Sequence, residues 1–363
     1  MKKALVVDWL DKYGGAERVI ASLEKTFHFD EVFSLINIMK EGDVKKIFDK
    51  NEIRINQTKL KYVKNKFRIF FFLFHYFISK IKISEDTQII ISSSHAIAKG
   101  VKKSSKNQIH IAYFQARNFK YIWDEADLYF GKLQFLVFPL LYILRKIDFI
   151  QAKRPDYIIT NSKYVQNWIK NNYKRDSQVI YPPVDINKFK LEEIKEDYYV
   201  TVGRLVPYKR FDIIIEAFNI NKKKLIIIGD GTEKNKLENR ANSNIEFLGF
   251  LEATKINSII GKANCFIHAG IEDFGIAPIE AQACGTPIIA YGKGGVLETV
   301  IDGKTGLFFK EQTVQSLLDT IATFETIQFD PKIIHKNALQ FSEARFEKEI
   351  KEFVEEKYRL FKN

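Results

Sequence analysis

The chain has 363 residues, of which 46% are apolar and 28% charged, which is too long for one ordinary core and too apolar for a disordered polymer. Its two cysteines, Cys265 in an apolar run and Cys284 before a glycine, have no metal-ligand spacing and are expected to be buried, reduced thiols. The net charge is +12, and residues 40–106 carry 16 Lys or Arg against 6 Asp or Glu, so this half should seek an anionic surface.

Residues 4–8 read as a first β-strand rather than the apolar region of a signal peptide, which predicts a cytoplasmic protein. Gly14 and Gly15 follow, with a helix expected from about Ala16, and such a loop between strand and helix tolerates a phosphate. Residues 67–78 read Phe-Arg-Ile-Phe-Phe-Phe-Leu-Phe-His-Tyr-Phe-Ile between flanking lysines. That run is too short to span a bilayer but suits an interfacial helix with a basic collar, so the region 62–82 is a candidate for peripheral membrane contact; a buried helix is the alternative. The second apolar run, 133–144, is interrupted by Pro139 and followed by Arg145 and Lys146, and is expected to be a buried helix of the first domain.

Short β-branched runs at 88–92, 109–114, 157–160 and 179–181 set a parallel-sheet rhythm. After Tyr181-Pro182-Pro183 the rhythm restarts at 199–202, 224–228, 245–248, 265–268, 287–290 and 306–309. Two doubly wound α/β domains follow from this repeat, with the stiff proline pair as hinge. Residues 316–361 have helical apolar spacing and i,i+4 charge pairs such as Glu347 with Lys351.

Ligands of open α/β sheets bind at the carboxyl edge, and the strand ends carry polar candidates there. Arg204 and Lys209 follow Gly203 and can neutralise a diphosphate. Glu272 and Glu280 lie eight residues apart, read as similar faces of one helix two turns apart. Gly275 between them lets a backbone approach a ligand. In the first half, Ser94-His95, Gln115 and Asn161-Ser162 end strands; a lone histidine is more often structural, so His95 is a modest candidate. No Asp-x-Asp metal motif occurs.

The run from Glu272 to Glu280, Glu-Asp-Phe-Gly-Ile-Ala-Pro-Ile-Glu, resembles the Glu-x7-Glu signature of family 4 retaining glycosyltransferases of the GT-B fold. Val202-Gly203-Arg204-Leu205-Val206-Pro207-Tyr208-Lys209-Arg210, Gly14-Gly15-Ala16-Glu17-Arg18, and Asn161-Ser162 with Tyr181-Pro182-Pro183-Val184-Asp185 agree in order and approximate spacing. The resemblance implies two Rossmann-like domains facing across a cleft: an acceptor-binding domain at 1–182, onto which a final helix at about 340–363 packs back, and a nucleotide-sugar domain at 183–339. It implies that Arg204 and Lys209 grip the donor diphosphate and act as the main electrostatic catalysts, with Glu272 and the backbone of Phe274, Gly275 and Ile276 on the donor sugar and phosphate. Glu280 would take the ribose, and Gly249, Phe250 and Leu251 the base. Gly229 would face the nucleotide, and Gly15 the donor phosphate. Gly14, His95, Gln115 and Asn161 are the acceptor-side or sugar contacts. Arg210 receives no role.

Related mannosyltransferases read Tyr-x-His-Thr-Pro where this chain has Tyr113-Phe114-Gln115-Ala116-Arg117. Gln115 carries no titratable proton, so a step that needs an imidazole there is in doubt. The expected reaction is metal-independent, cofactor-free, retaining transfer of a hexose, such as mannose from GDP-mannose, by front-face attack. The acceptor would be a polyprenyl-linked glycan of surface polysaccharide such as lipopolysaccharide, at the inner face of the cytoplasmic membrane. The alternatives are a nucleotide-sugar epimerase or phosphorylase on the same fold, or a non-catalytic basic binding protein; charge interleaved with apolar aromatics argues against nucleic acid.

Overall fold

The computed structural model describes residues 1–48, 54–117, 119, 120, 122–124, 126, 131 and 134–363. The chain forms two compact units, Met1–Pro183 with Ala344–Asn363, and Val184–Glu343. Among the described residues the first holds seven parallel strands, β1 (Lys3–Val7), β2 (Glu31–Ser34), β3 (Ile55–Gln57), β4 (Ile89–Ser94), β5 (Ile109–Phe114), β6 (Tyr157–Thr160) and β7 (Gln178–Val179), in the order β3-β2-β1-β4-β5-β6-β7. The second holds six, β8 (Glu196–Val202), β9 (Leu225–Ile228), β10 (Ile245–Gly249), β11 (Ala263–His268), β12 (Ile288–Tyr291) and β13 (Gly306–Phe309), in the order β10-β9-β8-β11-β12-β13. Both are doubly wound Rossmann-like sheets. The winding reverses between β1 and β4 in one and between β8 and β11 in the other, which opens a crevice at the carboxyl ends of those pairs.

The strands β2, Glu-Val-Phe-Ser, and β3, an edge strand Ile-Asn-Gln, escape the sequence rhythm because neither carries more than two apolar residues in a row. The stretch 316–361 is three helices, Val314–Phe324, Pro331–Leu339 and Glu343–Lys362. Asp330 caps the second, accepting from the Lys332 amide at 2.8 Å, and Pro331 takes its first position, where a missing N–H costs nothing. On the last helix Phe346, Ile350 and Val354 recur every fourth residue and are buried in the first unit's core. Each such burial contributes about 1.5–3 kcal/mol. Glu347 bonds Lys25 at 2.6 Å across the packing, where the local spacing had suggested Lys351.

Each of the two apolar runs buries one part and exposes another. Residues 67–78 do not form one interfacial helix: a 3-10 segment, Lys59–Leu73, with non-helical dihedrals at Lys64 and Phe70, precedes a six-residue α-helix, Phe74–Ser79, and Phe67, Phe74 and Ile78 are buried. The run expected to be buried belongs instead to helix Gln134–Gln151, which exposes Leu136, Leu140, Ile143, Ile147 and Ile150. Its inner face buries Leu141 and Leu144 together with Asp148 and Gln151. Asp148 is paired with the fully buried Lys99 at 2.7 Å and accepts from Trp123 Nε1 at 2.9 Å and the Tyr173 hydroxyl at 2.5 Å. Gln151 meets His75 Nδ1 at 2.7 Å and donates to the Ser79 hydroxyl at 3.0 Å. Among the described residues no helix is long and apolar enough to cross a membrane. Both cysteines are free and buried, and burial pushes the Cys284 thiol up to about 12.

Buried histidines give the fold an acid limit. His110 Nε2 lies 2.8 Å from the Ser92 hydroxyl, and burial pushes its imidazole down to about 3. His268 is pushed to about 3 by burial first and by Lys209 second. A histidine whose folded pKa is depressed binds its proton more readily in the unfolded chain, so its contribution is complete above pH 6.5 and is lost as pH falls toward 3, at up to about 1.4 kcal/mol per pH unit per histidine. Denaturant unfolding between pH 7 and pH 5 should therefore show stability falling with acidification, and more shallowly in His110→Asn; equal slopes for the two proteins would exclude His110 as a cause.

Candidate functional site

In the second unit the candidates gather at the carboxyl edge on both sides of the β8/β11 switch. β8 ends at Val202, and Gly203 leads into a loop and a single 3-10 turn, Pro207–Lys209. Arg204 is exposed and reaches the Tyr208 hydroxyl at 3.5 Å. Lys209 is mostly buried, and its ammonium pairs with the Glu272 carboxylate, so the two residues assigned to diphosphate and sugar meet in this structure. Arg210 turns the other way, holding Asp212 at 3.0 Å and Gln312 at 3.1 Å, while Gln312 donates to the Ala269 carbonyl at 2.8 Å. It braces the Lys209 loop against the end of β11.

Glu272 lies in the loop ahead of helix Ile276–Ala283 rather than on the helix, so the shared-face argument for Glu272 and Glu280 does not hold. The loop is fixed by main chain: Glu272 bridges Gly294, and the Gly295 amide donates to the Glu272 carbonyl at 2.8 Å. A Cβ at Gly294 would overlap that carbonyl, and one at Gly295 would overlap Phe274 Cα. Gly294 and Gly295 are thus positioning residues the motif reading missed, because their partners lie some twenty residues earlier in the chain. Gly275 is the helix N-cap at φ +92°. That backbone suits glycine, and the missing side chain leaves the first-turn amides open to an anion. Phe274 buries its ring against Phe341 at 5.7 Å, so only its backbone can serve a ligand. Ile276 and Glu280 are half-buried on the first turns of the helix.

Gly229 follows β9 at φ +142°, and a Cβ there would strike the Gly203 carbonyl. Gly249 at φ +65° ends β10, followed by Phe250, which is 85% exposed, and half-buried Leu251. An unsupported aromatic ring at this edge is a surface on which a flat group can stack. A cavity of about 250 Å³ in this unit lies elsewhere, at the opposite edge, lined in part by Lys195, Asn264, Gly285 and Pro287. Lys195 there donates to the Gly261 and Cys284 carbonyls at 2.7 and 3.2 Å and so caps two helix ends.

In the first unit, Asp8 at the end of β1 is the organising residue that the motifs did not reveal. Buried, it accepts four backbone amides, from His95 at 2.5 Å, Ala96 at 2.9 Å, and Ile97 and Ala98 at 2.6 Å. His95 Nδ1 stands 3.1 Å from the same carboxylate and its ring meets Trp9 edge-on at 4.5 Å. Gln115 donates to the Ala16 carbonyl at 3.2 Å and to the Ser93 hydroxyl, and its own carbonyl accepts from Asn161 at 2.6 Å. Gln115 and Asn161 therefore lace the ends of three strands and the start of helix Gly15–Phe27 together. Gly14 caps that helix in an extended conformation, with the Glu17 carboxylate against it.

Residues 184–341 match the family model described as "Glycosyl transferases group 1". An uncharacterized glycosyltransferase of Methanocaldococcus jannaschii is 32% identical over 192 residues, 52% of this chain and 54% of that protein. The O-antigen chain mannosyltransferase RfbU of Salmonella typhimurium is 30% identical over 156 residues, 39% of this chain and 43% of its own. The chain spans about half the length of the curated relatives it matches. The crystal structure of HepE from Anabaena in complex with UDP-glucose is similar with a TM-score of 0.69 and 18% identity, covering 98% of this chain and 100% of that one. The chain has the GT-B fold, and the group 1 model matches its second unit over nearly its whole length.

Proposed function

We propose that this protein is a retaining hexosyltransferase that moves a sugar from a nucleotide donor to a lipid-linked glycan at a membrane surface, without a metal. The observation that carries the reading is the meeting of Lys209 and Glu272 beside the open helix entrance at Gly275. Cation, carboxylate and open amides stand together at one edge, as a sugar diphosphate requires.

Arg204 and Lys209 stabilise the charge that grows on the departing diphosphate. Glu272 accepts hydrogen bonds from donor-sugar hydroxyls, and Glu280 from the ribose. Phe250 stacks on the base, with Gly249, Leu251 and Gly229 around the nucleotide. The leaving diphosphate takes the acceptor proton as the new bond forms on the face it vacates. His95, oriented by Asp8, belongs to the acceptor side with Gly14 and Gly15, and Gln115 and Asn161 shape that surface through the strand ends they join. The basic, aromatic region 62–82 fits an acceptor carried on a lipid.

The relatives divide over the donor: the Salmonella protein is named a mannosyltransferase and the Anabaena structure holds UDP-glucose. A thermal-shift panel of GDP, UDP, dTDP and ADP with their sugars, in the absence of metal, should raise the unfolding midpoint for one nucleotide family by mass action. Lys209→Ala should abolish that shift and lower turnover about 100- to 1,000-fold with the fold intact; near-parental transfer by the variant would refute the assignment. Gly295→Ala should cost about 1–3 kcal/mol of stability by overpacking and weaken nucleotide-sugar binding. Gly42→Ala, within a helix and where a Cβ meets nothing within 4 Å, is the control expected to leave binding unchanged and to hold or slightly raise stability.

A further inference from the structure

We infer that helix Gln134–Gln151 is the element by which the first unit lies on an anionic lipid bilayer, with its apolar stripe at the level of the acyl chains. The helix departs from the usual rule for a surface helix, since Asp148 and Gln151 face inward beside Leu141 and Leu144 while a full line of apolar residues faces out. The inward face is locked by the bonds of Asp148 to Lys99, Trp123 and Tyr173 and of Gln151 to His75 and Ser79. Rotation to hide the stripe would strand those buried polar groups. Leu136, Leu140, Ile143, Ile147 and Ile150 follow spacings of four and three and form one line along the helix, exposed by 62% at Leu136, 54% at Ile143 and 61% at Ile150. An apolar line of this regularity left in water marks a contact surface.

Charge identifies the occupant. The helix's acid is buried with Lys99, so its exposed charge is cationic: Lys146 lies over the Tyr142 ring at 4.4 Å, and just beyond the helix Lys153 lies over Phe149 at 4.7 Å. Residues 54–84, which pack on the helix through His75 and Ser79, carry eight Lys or Arg and no acid. They also expose Ile69, Phe72 and Tyr76. An apolar stripe fringed by cations matches acyl chains beneath phosphate headgroups. A second copy of the chain, paired symmetrically, would instead set these cations against one another. The inference is independent of the sugar-transfer reading, because lipid binding requires no donor.

The test is co-sedimentation of the full chain with phosphatidylcholine vesicles, with and without phosphatidylglycerol, alongside size-exclusion chromatography and a thermal melt to verify folding. The chain should bind the phosphatidylglycerol vesicles. Ile143→Ser combined with Ile147→Ser should lower the bound-to-free ratio about tenfold, and Lys146→Glu should lower it on the anionic vesicles alone. Leu297→Ser, at an exposed leucine of the second unit, should leave it unchanged. Unchanged binding by the folded double variant, absence of binding by the parent chain, or a dimeric parent whose double variant is monomeric would each overturn the inference.

Discussion

At Gly229, Gly231, Gly294 and Gly295 a side chain of even one carbon would overlap the main chain of a neighbouring loop: that of Gly203, Leu205, Glu272 and Phe274 respectively. The loops bearing Arg204, Lys209 and Glu272 lie where they do because that carbon is missing. Backbone packed directly on backbone leaves few rotamers to adjust, so the positions of these charges are set by peptide geometry more than by side-chain choice. The arrangement is stiff at the moment a ligand arrives, which is what electrostatic stabilisation needs if it is to avoid reorganisation at the reacting centre.

The first unit solves the same problem with a carboxylate. Asp8 gathers four successive amides at the end of the crevice between β1 and β4, a place where an open sheet usually offers its amides to a ligand. The protein's own aspartate occupies that anion-binding position. The two edges therefore differ in kind despite their common winding, with open amides and a lysine on one and satisfied amides and a shielded histidine on the other.

Much of this was legible in the sequence. The β-branched runs announce most of the strands, and Arg204, Lys209, Glu272 and Glu280 stand out because their motifs are contiguous. Asp8, Gly294 and Gly295 do not, since each acts on residues more than twenty positions away and nothing in its own neighbourhood marks it. Placing Glu272 on the helix failed because the glycine that begins the helix at φ +92° sits between it and the first turn. The split exposure of the two apolar runs escapes the sequence for a different reason. Composition cannot tell which face of a helix is satisfied, and the inward Asp148 and Gln151 find partners from four separate segments that no local pattern links.

The pairing of Lys209 with Glu272 has one more consequence. Each holds the other's charge in a setting where both side chains are at least four-fifths buried. An anion that draws Lys209 away leaves behind a desolvated carboxylate in need of new donors, and a ligand bearing only phosphates brings none to it. A molecule with hydroxyls joined to its phosphates can satisfy both halves of the broken pair at once. On the proposed reading, the resting ion pair is a chemical lock with two tumblers, releasing fully to a ligand that carries both kinds of group.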